Sequence, residues 1–108
     1  MGNIQKQKKM PNVMANDPVV KHHYETLKKG QEVVQNGKTS TVVTMIVKDP
    51  RLNKGKPTLI PSLYNGKIYK NEYDAVTQAL KTGVKYTSGD TVEELDLLDR
   101  RLHEMYIK

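Results

Sequence analysis

The spacing of apolar positions along this chain changes twice. After a polar stretch over residues 1–16, Val20, Tyr24 and Leu27 recur at helical intervals. Asp17-Pro18 stands in front of them as a helix start: Asp supplies a capping oxygen, and Pro at the first helical position gives up an N–H that has no partner there. Lys28 and Lys29 suit the carboxyl end of the helix dipole, and Gly30 accepts a left-handed stop, so the pattern predicts a helix over residues 18–29. Three turns are marginal alone, and another subunit is the expected packing partner. Beyond Gly30 the period falls to two. Residues 32–35, the pair Asn36-Gly37 and residues 41–47 read as a hairpin, because Asn-Gly takes the positive φ angles of a two-residue turn. Asp49-Pro50 ends that strand, and residues 51–57 are predicted to form an exposed, mobile loop. Thr58-Leu59-Ile60 and Leu63-Tyr64 resume an extended character, Pro61 marks an edge or a bulge, and Asn65-Gly66 turns the chain into Lys67-Ile68-Tyr69.

Helical spacing then returns. Asn71 caps a helix with Tyr73, Val76, Ala79 and Leu80 on one stripe, and Gly83 closes it. Thr91 and Glu94 fit a capping box for a second helix, whose Val92, Leu95, Leu98, Leu102 and Met105 form a single stripe. These elements predict an α+β fold: a small antiparallel sheet of three to four strands, covered on one face by two C-terminal helices. Residues 1–16 form a basic flexible arm, residues 17–30 a short helix or docking segment, and residues 31–108 the compact unit.

Composition limits what the core is made of. With 108 residues, 36% apolar, and no Phe, Trp or Cys, the core rests on Val, Leu, Ile, Met and six Tyr, and neither a disulfide nor a thiolate metal site is available. No apolar run approaches the ~20 residues that span a bilayer, so no membrane contact is expected. The net charge of +6 is unevenly spread: residues 1–38 carry seven Lys against three acids, residues 39–70 six cations against Asp49, and residues 71–108 five cations against eight acids. Such a dipole orients a molecule on a charged partner or favours head-to-tail contact with its own kind. Lys6, Lys8, Lys9, Arg51, Lys54 and Lys56 lie on segments able to reach phosphates, which makes non-specific DNA contact a candidate activity. Only three Arg are present, and no helix has the spacing of a groove reader.

Catalytic and metal chemistry find little support. His22 and His23, adjacent on a helix, point about 100° apart and cannot both face one ion, and His103 is distant, so all three read as surface or helix histidines. Ser40, Ser62 and Ser88 lie in no nucleophile elbow. The carboxylates Glu93, Glu94, Asp96 and Asp99 are explained by capping and solvation, and the turn at residues 53–56 lacks the frame of a phosphate loop. No catalytic residue, cofactor or metal is expected.

Three runs carry a resemblance: GKTSTVVTMIV at residues 37–47, GKPTLIPSLYNGKIY at 55–69, and EYDAVTQALKTGVKYTSGDTVEELDLLDRRLHEM at 72–105. In order and spacing they are similar to a small domain encoded by tailed bacteriophages and prophages. The matching features are a Ser40-Thr41-Val42 strand, a Pro57-Thr58-x-x-Pro61 hairpin with Gly66, and a helix with Ala75 that ends at Thr82-Gly83. A second helix is entered through Asp90-Thr91 and closes with Leu102-His103. The chain departs from that pattern at Thr87-Ser88-Gly89, where relatives often have Gly-x-Phe, and at Leu95-Asp96, where a small Ala usually follows the Glu. The resemblance implies a non-enzymatic structural protein of the virion, made in the host cytoplasm and present in multiple copies in a symmetric assembly. Docking onto other virion proteins of a larger head or tail assembly is expected through the N-terminal arm, with Val13, Met14, Val19, Val20, Tyr24 and Leu27 as apolar anchors. The alternatives are a basic internal virion protein associated with DNA and a cell-wall-binding lysis accessory domain.

Overall fold

A computed structural model describes residues 16–35, 37–40 and 43–105. Within them the order is α1 (Pro18–Lys29), β1 (Val33–Gln35), β2 (Lys38–Ser40), β3 (Thr44–Val47), a 3-10 turn (Asn53–Gly55), β4 (Thr58–Pro61), β5 (Leu63–Tyr64), β6 (Lys67–Ile68), α2 (Glu72–Thr82) and α3 (Val92–Met105). The fold is mixed α+β, and the helix boundaries follow the capping chemistry. Asp17 accepts from the Val19 N–H and Gly30 closes α1 at φ 63°; Asn71 accepts from the Asp74 N–H, and Gly83 ends α2 in the left-handed region. At α3 the Glu94 N–H donates to the Thr91 hydroxyl at 3.2 Å, while the Glu94 carboxylate accepts from the Asp90 N–H.

The strands among the described residues form three separate antiparallel pairs, β1-β2, β3-β4 and β5-β6, rather than one sheet of three to four strands. The first hairpin closes at once onto Lys38, with Val33 opposite Ser40, so residues 44–47 are left for another partner. They take β4, pairing Thr44 with Pro61 and Val47 with Thr58. Pro61 falls at the end of this ribbon, where a missing N–H costs least. The other edge of β4 meets residues 87–89 through one bridge, Thr58 to Ser88, and through the Leu59 N–H on the Thr87 carbonyl.

Side chains alternate across the ribbon, and both faces are apolar, so both need cover. Ile46 and Leu59 look toward one side, where Val19, Val20, Leu95, Leu98 and Leu102 complete a cluster from α1 and α3. Met45, Val47 and Ile60 look toward the other, with Ala75, Val76 and Ala79 of α2, plus Leu52, Tyr64, Tyr69 and Tyr86. The two C-terminal helices therefore lie on opposite faces of the ribbon instead of sharing one, and all four residues of β4 are buried.

Two helical stripes are rotated from the expected phase. On α1 the buried residues are Val19, Val20, His23 and Thr26, and the packing partner is β4 and α3 of the same chain. On α2 the buried face is Ala75, Val76 and Ala79, while Tyr73 and Leu80 are exposed. Tyr73 instead receives the Arg51 guanidinium over its ring, 4.0 Å from the centroid. Both ends of the α3 stripe, Val92 and Met105, are exposed, and its burial rests on Leu95, Leu98 and Leu102.

Candidate functional site

The face of α1 beside its buried one carries Pro18, Lys21, His22, Glu25, Thr26 and Lys29, spaced by three and four residues and hence on one side of the helix. This face forms one wall of a groove of about 680 Å³. The opposite wall is the end of α2 and the segment after it, with Gln78, Lys81, Thr82, Val84 and Lys85; Tyr64, Asn65 and Tyr86 complete the lining with Gln31. A volume of that size lies within the range of sites for small ligands and short peptide segments.

Several long-range bonds fix the α1 wall. The Asp17 carboxylate caps Val19 and accepts from the Thr87 hydroxyl at 2.7 Å. His22 Nε2 lies 2.5 Å from the Leu63 carbonyl, and because a carbonyl only accepts, the ring nitrogen carries the proton and donates it. The His22 ring also meets Tyr64 edge-on at 5.1 Å. Burial lowers the His22 pKa; the bond to Leu63 opposes that, Lys29 lowers it further and Glu25 raises it. The ring is therefore neutral near pH 7, with Nδ1 left as an acceptor.

Tyr64 is 5% exposed, and its hydroxyl has no hydrogen-bond partner among the described residues. Burial, with Tyr86 close by, pushes its pKa upward and keeps the phenol protonated. Tyr86 is felt electrostatically, but no well-formed hydrogen bond joins the two hydroxyls; the Tyr86 hydroxyl lies 3.4 Å from Thr82 Oγ1. The groove thus combines four lysines and one glutamate on its walls with a lining that includes the buried Tyr64 and Tyr86.

The docking anchors read from the sequence separate. Val19 and Val20 are 0% exposed and belong to the core, so neither is available to a partner. Tyr24 and Leu27 are exposed, on the side of α1 turned away from the groove, and Val13 and Met14 lie outside the described residues. The basic positions separate as well. Lys6, Lys8 and Lys9 lie outside the described residues. Arg51 is held: its guanidinium donates twice to Asp49, to Thr77 Oγ1 at 3.0 Å and to the Tyr73 carbonyl at 3.2 Å. Lys54 and Lys56 are exposed, with Lys56 4.0 Å from Asp90, and neither reaches the groove. The loop carrying them is built on buried Leu52 and on Asn53, whose side-chain amide donates to Thr58 Oγ1 and the Tyr86 carbonyl.

His22 and His23 are not the surface residues expected, while His103 lies on α3 as a helix histidine. His22 is half-buried, and His23 is buried against Tyr24, its pKa lowered by burial and then by His103. His103 pairs with Asp99 at 3.1 Å, beside Thr44. The Thr44 hydroxyl donates to Asp99 at 2.7 Å, so its proton is already committed and His103 does not act as its base. Among the described residues no group of three or more His, Cys, Asp or Glu is gathered for a metal ion, and no helix is long and apolar enough to cross a membrane. Reading α1 by its apolar residues alone missed the groove; the available signal was the four-residue interval of Lys21, Glu25 and Lys29. Comparison with family models, curated proteins and solved structures returns no match.

Proposed function

We propose that the chain is a non-enzymatic structural component of a bacteriophage particle, bound to a larger head or tail assembly. The ordered motifs across residues 37–105 support the phage origin. The observation that carries a binding role is the groove between α1 and α2, where four lysines line two facing walls. Residues 1–16 add a basic arm, with Val13 and Met14 as its apolar contacts. Weak contacts of this kind gain strength when many copies bind a symmetric particle.

The test is co-purification with intact particles of the phage or prophage that encodes the chain, with the copy number counted by quantitative mass spectrometry. A fixed stoichiometry through a density gradient is the expected result. Loss of the chain from the particle band during the gradient sinks the reading. Retention on purified peptidoglycan would redirect it to cell-wall recognition.

A further inference from the structure

Charge in the groove follows an order. On the α1 wall Lys21, Glu25 and Lys29 are separated by four residues, about 6 Å of helix rise each. Lys81 and Lys85 stand on the facing wall. None of these four lysines forms an ion pair among the described residues, although the chain pairs Arg51, Lys56, Arg100 and His103 with acids elsewhere. Gln31, Asn65 and Gln78 bring carboxamides, each offering the donor and acceptor pair that a peptide backbone presents.

The same features sort the candidate occupants. A nucleic-acid strand carries unbroken negative charge, and Glu25 between two lysines opposes it. Single-stranded nucleic acid also needs open ring faces for stacking, whereas Tyr64 and Tyr86 are buried. A polypeptide tolerates the alternation, because acidic residues can flank a polar or basic one.

We infer that the groove between α1 and α2 receives a short, extended acidic segment of a neighbouring protein, with its carboxylates on Lys21, Lys29, Lys81 and Lys85 and a polar or cationic residue opposite Glu25. The inference rests on the docking reading above and gives the partner its chemistry. Lysines on both walls steer such a segment and fix its register, and the carboxamides of Gln31, Asn65 and Gln78 match its backbone.

The experiment titrates an acetylated, amidated octapeptide of alternating glutamate and glycine into the full ¹⁵N-labelled chain, with its glutamine counterpart and an eight-nucleotide oligothymidylate in parallel. Amide shifts confined to residues 18–31 and 78–86 with the acidic peptide, and none with the neutral one, are expected. The double variant Lys81→Glu, Lys85→Glu, on exposed positions, weakens that binding by about tenfold or more. The variant Lys54→Glu, Lys56→Glu leaves it within about twofold, since those lysines stand apart from the groove. Shifts elsewhere, no shifts, equal binding of the glutamine peptide, tighter binding of oligothymidylate in the groove, or displacement of the peptide by self-association of the chain each overturn the inference. Particle incorporation separates it from the broader reading. If the Lys81→Glu, Lys85→Glu variant enters particles as the wild type does, the groove is not the docking surface and the particle assignment stands. If the wild type is absent from particles, that assignment falls whatever the peptide does.

Discussion

Asp17 and Thr87, 70 residues apart in sequence, are joined by a hydrogen bond of 2.7 Å, while the other oxygen of the same carboxylate caps α1 at the Val19 N–H. One buried side chain therefore starts the first helix and ties it to the segment that flanks β4. Asp17→Ala removes both bonds and is expected to lower unfolding free energy by about 2 kcal/mol, the sum of a lost cap and an orphaned hydroxyl. Asp17→Asn keeps the capping oxygen but turns an N–H₂ toward Thr87, so it should fall between wild type and Asp17→Ala. Urea unfolding of the three proteins gives the ranking, and equal midpoints would refute it.

Arg51 is occupied rather than available. Its guanidinium spans Asp49, Thr77 and Tyr73, and this pairing holds the Asp49 carboxyl below the usual carboxylate range. Arg51→Lys loses the planar fork and should lower the thermal midpoint. Retention on immobilised DNA at low salt should be unchanged by it. A drop in DNA retention without a change in stability would return Arg51 to the candidates for phosphate contact.

His22 and His23 both have pKa values lowered from 6.5, chiefly by burial. Between the folded and unfolded values the unfolded chain binds more protons, so stability rises with pH there. The contribution is complete above about pH 6.5 and is lost as pH falls below it toward the folded values. Imidazole titration by NMR should place both midpoints below 6.5, with the urea midpoint declining over the same interval. A midpoint at or above 6.5 for either ring contradicts the assignment.

The 3-10 turn contains three successive left-handed residues, Asn53 at φ 50°, Lys54 at 57° and Gly55 at 83°. Lysine at such a φ is strained by about 1–2 kcal/mol, partly offset in a glycine variant by the greater freedom of the unfolded chain. Lys54→Gly is expected to raise stability by about 0.5–1 kcal/mol. A destabilised Lys54→Gly protein would mean that the lysine side chain makes contacts worth more than its strain.

Features written in neighbouring residues were legible from the chain. Asp17-Pro18 and Gly30, Asn71 and Gly83, and the Asn65-Gly66 turn all sit where local chemistry puts them, because caps and tight turns are satisfied within a few residues. What depends on distant partners was not. Tyr24 lies one turn after Val20 and fits an apolar stripe as well as Val19 and His23 do, and only the position of β4 and α3 selects between those phases. Tyr73 was drawn outward by Arg51, a residue 22 positions earlier whose cation has no sequence mark of its destination. The hairpin partner was misplaced because residues 41–47 are more apolar than residues 38–40, yet a two-residue turn admits only the nearer strand. The groove escaped because its walls come from α1 and from residues 78–86, and each wall alone reads as a solvated helix face.

The cluster beneath α1 unites Val19 and Val20 with Leu59 and with Leu95 and Leu102, three stretches far apart in sequence. During synthesis α1 emerges before both of its partners, so its apolar face is covered only in part by Leu59 of β4 until Leu95 and Leu102 of α3 have left the ribosome. Among the described helices the one made first is fully sheltered only at the end, and a nascent product halted before Leu102 leaves Val19 and Val20 partly bare to chaperones and proteases.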